Sequence, residues 1–114
     1  MSPNEYQKEA HKTSKYPVAI VEGAEYPYAY PVAGLAEEAG EVAGKFAKAI
    51  RDEHGLISDK RKTEIIKELG DVMWFVAELC TLLDADLEIV MQLNIAKLAD
   101  RQKRGVIGGS GDNR

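Results

Sequence analysis

The chain reads as all-α: an antiparallel bundle of about four helices, completed by dimerisation or higher homo-oligomerisation. Three observations predict it. Apolar residues recur at helical spacing in three long segments, as in Leu35, Ala39, Val42, Phe46 and Ile50, which is the four-three-four rhythm of one helix face. Helix-starting and helix-ending residues bound those segments. The second half of the third segment, VMWFVAELCTLL, is apolar on nearly every side, so this chain or another copy has to cover several of its faces.

The first helix starts at Ser2-Pro3-Asn4-Glu5, with Ser2 as N-cap, Pro3 in the first helical position and Glu5 closing a capping box. It runs to about Ser14 and carries little apolar content beyond Tyr6 and Ala10, so it must lean on a neighbour. From Lys15 to Pro31, three prolines and Gly23 interrupt the pattern, giving a connector that is partly extended. Tyr16, Tyr26, Tyr28 and Tyr30 concentrate there. They either wall a pocket for a planar base or pack the connector onto the core.

The second helix spans about Val32 to Glu53 and ends at Gly55, suited to a left-handed cap. The third runs from about Lys60 to Leu83, started by Ser58 or Asp59, with Ile65, Leu69, Val72, Val76, Leu79 and Leu83 as its buried stripe. Asp86 caps the fourth, Leu87 to about Arg104, whose core side is Leu87, Met91, Ile95 and Leu98. The remainder, GVIGGSGDNR, is a flexible glycine-rich tail over residues 105–114 of a single domain spanning 1–114.

Composition narrows the function. Forty-five per cent apolar and 30% charged residues with a net charge of -4 describe an ordinary soluble chain. Its basic residues are interleaved with acids except near the C-terminus, which disfavours duplex nucleic acid as a partner. The single cysteine, Cys80, excludes an internal disulfide framework and fits a reducing cytoplasm. No apolar run reaches the roughly 18 residues of a membrane span and no signal pattern opens the chain. A cytoplasmic protein with no membrane partner is expected.

The chemistry is expected from two acid pairs, Glu38/Glu41 and Glu68/Asp71, each three residues apart on its helix. Two such helices side by side bring four carboxylates together, and like charges so placed call for a cation. Magnesium takes carboxylate oxygens and shares its sphere with substrate phosphates, so a phosphorylated ligand is expected. Lys45 and Lys48 continue the row of Glu38 and Glu41, whereas Glu37 points further round. This pattern also suits a salt-bridged solvent face. Trp74, close to Asp71, stacks on a base, fills a subunit contact or simply packs. On the fourth helix Asn94, Lys97, Arg101 and Arg104 share a row, giving either donors for a polyphosphate or a basic end that complements the helix dipole.

GLAEEAGEV, KELGDVMWF and NIAKLADR, in that order, together resemble the MazG-type, all-α nucleoside triphosphate pyrophosphohydrolase superfamily, with its EExxE and ExxD motifs. NEYQKEAHKT and KRGVIGGSGDNR extend the likeness to the N-terminal helix and to the tail of short, often phage-encoded members. The resemblance implies hydrolysis of a nucleoside triphosphate, a deoxynucleoside triphosphate above all, to the monophosphate and pyrophosphate. It implies Mg2+, with Mn2+ able to substitute. It assigns Glu38, Glu41, Glu68 and Asp71 as metal ligands and Glu37 as partner to an attacking water, with Glu37 and Glu38 the catalytic pair. Asn94, Lys97 and Arg101 match phosphate-holding positions, and Lys48 matches a lysine following the first motif. Lys45 rests on the helical row alone. The long Tyr- and Pro-containing connector departs from the compact linker of many members. A homodimer or homotetramer is implied, with the site completed across subunits.

Two other classes compete. A ferritin-like di-iron bundle wants Glu-x-x-His pairs, but the only histidines are His11 and His54, and Gly44 and Asp71 stand where the motif would need them. A non-catalytic helical protein that binds nucleotide or a partner keeps the same fold without turnover.

Overall fold

Ser2 Oγ accepts from the Glu5 amide at 3.1 Å, and the Glu5 carboxylate accepts from the Ser2 amide at 2.6 Å. This capping box opens α1 (Pro3–His11), which stops three residues short of the expected Ser14. The computed structural model describes residues 1–114. After α1 come two short strands, β1 (Ala19–Val21) and β2 (Ala24–Tyr26), then α2 (Ala29–Asp52), α3 (Asp59–Leu82) and α4 (Leu87–Arg104). The fold is helical, with the four helices expected. No helix is long and apolar enough to cross a membrane.

The extended part of the connector is an antiparallel hairpin pairing Ala19 with Tyr26 and Val21 with Ala24. Glu22 and Gly23 form its two-residue turn, both at positive φ (51° and 79°), as the twist of a tight hairpin demands. Helix α2 begins at Ala29 rather than Val32, so Pro31 lies inside its first turn. That is permitted because the first-turn amides have no intrahelical acceptor to lose.

Helices α2 and α3 pack antiparallel along a seam traced by Gly34 against Phe75, Lys45 beside Glu68, and Glu53 paired with Arg61 at 2.5 Å. This seam corrects the expected core. On α2 the buried residues are Pro31, Gly34 and Ala49. Phe46 and Ile50, expected inside, are 43% and 70% exposed. The glycine lets the backbones approach along its own line, leaving the apolar stripe to one side. Likewise Leu69 on α3, Leu83 just past its end, and Met91, Ile95 and Leu98 on α4 are exposed, while Ile65 and Leu87 are buried as expected.

Helix α1 lies across α3, and a small core forms there from Ala10, Ala77, Cys80 and Leu87, flanked by Tyr6, Trp74 and Val76. The same helix caps α4. Asp86 occupies the N-cap position but makes no side-chain cap bond. Instead Gln7 Oε1 accepts from the Leu87 amide at 2.7 Å and Asn4 Oδ1 from the Glu88 amide at 3.1 Å. The buried Gln7 is satisfied at its other end, donating to Ala85 O and Thr81 Oγ1. Two free amides of the α4 start are thus met by side chains from the beginning of the chain.

Candidate functional site

The acids meet at the middle of the α2–α3 seam. Glu38 lies on the inner side of α2, two turns before Lys45, while Glu68 and Asp71 lie one turn apart on α3. One carboxylate oxygen from each of the three acids falls within 4.8 Å of the others. Burial pushes the Glu38 carboxyl above its ordinary range, and the nearby Asp71, Glu68 and Glu37 carboxylates push it further. Lys45 Nζ, 3.7 Å from Glu68 Oε1, is the neighbouring cation. Three carboxylate oxygens at this separation suit a hard divalent cation.

The other acids and cations of the two motifs lie around this group. Glu41 is exposed one turn along α2, outside the three-carboxylate cluster, and Glu37 is exposed beside Glu38. Lys48 is exposed further along α2.

Glu38 and Asp71 line a cleft of about 330 Å³ together with Thr13, Lys15, Tyr16, Tyr30, Trp74 and Phe75. Its aromatic side is ordered. The Tyr16 and Tyr30 rings stack at 4.9 Å with planes 22° apart, Trp74 meets Tyr16 edge-on at 6.4 Å, and Phe75 stands perpendicular to Trp74 at 4.9 Å. Trp74 Nε1 donates to Thr13 Oγ1 at 2.7 Å and to the Ala10 carbonyl at 3.2 Å. Of the connector tyrosines, Tyr16 and Tyr30 line the cleft, whereas Tyr26 and Tyr28 pair with each other. A cleft lined by both carboxylates and aromatic rings suits a ligand that combines a charged group, met through a cation on the acids, with a planar ring.

Behind the aromatic side lies a group that sequence reasoning did not single out. Glu78, only 1% exposed, accepts from Ser14 Oγ at 2.7 Å and Tyr16 O–H at 2.8 Å, and His11 Nδ1 lies 2.9 Å from its other oxygen. Burial works to raise its pKa, but the hydrogen bonds from His11, Ser14 and Tyr16 outweigh it and hold the carboxyl below its ordinary range. The available signal was a carboxylate inside an apolar run, which needs donors from elsewhere. Those donors stand more than 60 positions away, beyond any helical spacing.

The α4 row forms a second polar cluster. Asn94 and Lys97 line a separate cleft with Val90, Leu93 and Asp112. Lys97 Nζ is 2.8 Å from Asp112 Oδ1, and the buried Arg101 guanidinium also donates to the Asp112 carboxylate and carbonyl. These two cations hold the Asp112 carboxyl below its ordinary range, the Lys97 hydrogen bond contributing most. The glycine-rich tail curls around Arg114, whose guanidinium donates to the carbonyls of Val106, Ile107, Gly108 and Gly111. Within one chain, none of the α4 row lines the cleft that holds Glu38 and Asp71.

Comparison with known proteins gives a consistent result. Residues 29–106 match the MazG nucleotide pyrophosphohydrolase domain. The chain is 46% identical over 113 residues to the Gene 37 protein of Mycobacterium phage L5, the alignment covering 96% of each. No solved structure matches.

Proposed function

Because the chain belongs to the MazG nucleotide pyrophosphohydrolase family, we propose that it hydrolyses a nucleoside triphosphate, with preference for the deoxy form, to the monophosphate and pyrophosphate. The observation that supports this reading is the convergence of Glu38, Glu68 and Asp71, two of which, Glu38 and Asp71, line a cleft that also carries Tyr16, Tyr30, Trp74 and Phe75. Residues 1–114 act as one catalytic domain. Glu38, Glu68 and Asp71 hold a divalent cation, magnesium or manganese, with Glu41 as a fourth ligand. When bound, the ion supplies positive charge toward the phosphate oxygens and makes phosphorus easier to attack.

The chain's own residues do the rest. Glu37, exposed beside Glu38, takes the proton from the attacking water as the oxygen joins the α phosphorus and the bond to the β phosphate breaks. Lys45, already at the acid cluster, and Lys48 neutralise phosphate charge, and Asn94, Lys97 and Arg101 hold the phosphate chain. Trp74, which lines the cleft, is assigned to the planar part of the ligand. Such positioning and neutralisation are what phosphoryl transfer asks of a protein.

The test is product analysis across the ribo- and deoxyribonucleoside triphosphates, with and without magnesium, for wild type and Glu38→Gln. Pyrophosphate release should require the cation and fall by at least about 100-fold in the variant, since loss of a direct ligand costs no less than loss of the groups that support one. Unchanged turnover in Glu38→Gln would sink the metal assignment. Nucleotide binding with no product would leave the chain as a nucleotide-binding protein of the same fold.

A further inference from the structure

The three groups around Glu78 all belong to one short piece of chain. His11 ends α1, and Ser14 and Tyr16 follow it. The same piece supplies Thr13, Lys15 and Tyr16 to the cleft. A buried carboxylate is costly without donors, so Glu78 and this segment depend on each other. The Trp74–Thr13 hydrogen bond ties the segment down a second time, two residues away. The Tyr16 ring, held by its hydroxyl at Glu78, is thereby presented flat to Tyr30 and edge-on to Trp74.

We propose that Glu78 is a positioning residue: it fixes residues 11–16 as a wall of the cleft, so that Tyr16, with Tyr30 and Trp74, selects the planar ring of the ligand. The carboxylates of the cleft deal with charge and are indifferent to the ring. This rests on the nucleotide reading above and adds to it the part of the chain that discriminates among bases. Glu78 itself lies behind the wall and touches no ligand. The wall is a surface segment, since His11 is half exposed and Lys15 is exposed. Removing the carboxylate therefore lets the donors turn to water while the α2–α3 seam and its acids stay in place. Removing one partner of a buried charged group is destabilising, so Glu78→Leu is set beside a second variant that keeps the carboxylate and trims its donors instead.

The experiment uses α,β-methylene deoxynucleoside triphosphates of the four bases, which keep ring and charge but resist cleavage between the α and β phosphates. Their affinities, and that of inorganic tripolyphosphate, are measured calorimetrically in magnesium buffer for wild type, Glu78→Leu and the double variant Ser14→Ala with Tyr16→Phe. The double variant removes two of the hydrogen bonds from the wall side and keeps the Tyr16 ring and the buried Glu78. In both variants the preferred analogue should lose about tenfold in affinity and the spread among bases should narrow, while tripolyphosphate changes by less than about twofold. Equal losses for tripolyphosphate and the analogues, or an unchanged order and spread among the bases, overturns the proposal, as does a wild-type protein that binds all four analogues no better than tripolyphosphate. If the wild-type protein shows base preference without turnover, the hydrolase reading fails and the Glu78 result still decides this one.

Discussion

A methyl group built on Gly34 would lie 2.2 Å from Cζ and 2.3 Å from Cε1 of Phe75. The α2–α3 seam is that tight beside the cleft, and the ring has nowhere to go: Tyr30 is tilted against it at 5.8 Å and Trp74 is perpendicular at 4.9 Å. Gly34→Ala forces either the helices apart or the aromatic side of the cleft to rearrange. Overpacking of a core costs about 1–3 kcal/mol, and the better helix propensity of alanine returns at most about 1 kcal/mol. We expect a net loss of about 1–2 kcal/mol, seen as a midpoint several degrees lower in thermal unfolding. Gly70→Ala is the matched control, because nothing lies within 4 Å of a Cβ there; it should be neutral or stabilising.

Glu78 gives the fold a specific response to acid. Its carboxyl is held below the ordinary glutamate range by His11, Ser14 and Tyr16 despite its burial. The sign follows by linkage. A depressed folded-state pKa contributes stability that is fully present above the ordinary range and is lost as pH falls through the folded value. The groups facing Glu78 are His11 from α1 and Ser14 and Tyr16 from the connector, and all three persist in Glu78→Gln. Below about pH 4 the wild type should therefore lose stability more steeply than Glu78→Gln, by no more than about 1.4 kcal/mol per pH unit for one proton. Denaturant midpoints across that range measure the difference. Parallel acid limbs would show that Glu78 does not carry it.

The sequence made some of this visible and hid the rest for physical reasons. Helix boundaries were legible to within about three residues, because caps such as Ser2 with Glu5 and Ser58 act locally. The nearness of Glu68 to Asp71 follows from one turn of helix, and their approach to Glu38 needed only that α2 and α3 pack side by side. What periodicity misjudged was direction. The stripe through Phe46 and Ile50 is apolar and regular, yet Gly34 and Ala49 set the seam, since close backbone approach follows small residues rather than large ones. The capping of α4 by Asn4 and Gln7, like the satisfaction of Glu78, joins residues more than 60 positions apart and leaves no local mark.

That misplaced stripe bears on assembly. At about 100° per residue, Phe46 and Ile50 on α2 and Ile66, Leu69 and Met73 on α3 fall on the same side of the seam, opposite Asp71 and Trp74, and all five are exposed. On α4, Leu93 and Ile95 are also about two-thirds exposed. Exposed apolar side chains in such number mark an interaction surface, and we propose that a second copy covers those of α2 and α3. The division of the polar groups points the same way. Glu38 and Asp71 line one cleft, and Asn94 and Lys97 line another; on this proposal the site takes one set from each of two copies. Light scattering at micromolar concentration should show a dimer or tetramer. The sharper check mixes two impaired variants, Glu68→Gln and Lys97→Ala, after subunit exchange. If the acids of one copy work with the α4 row of its partner, random pairing restores both sets at about a quarter of the sites, and turnover rises to near that fraction of wild type. Turnover no higher than the mean of the two variants would place both sets within one chain, and a monomer in solution would remove the shared site altogether.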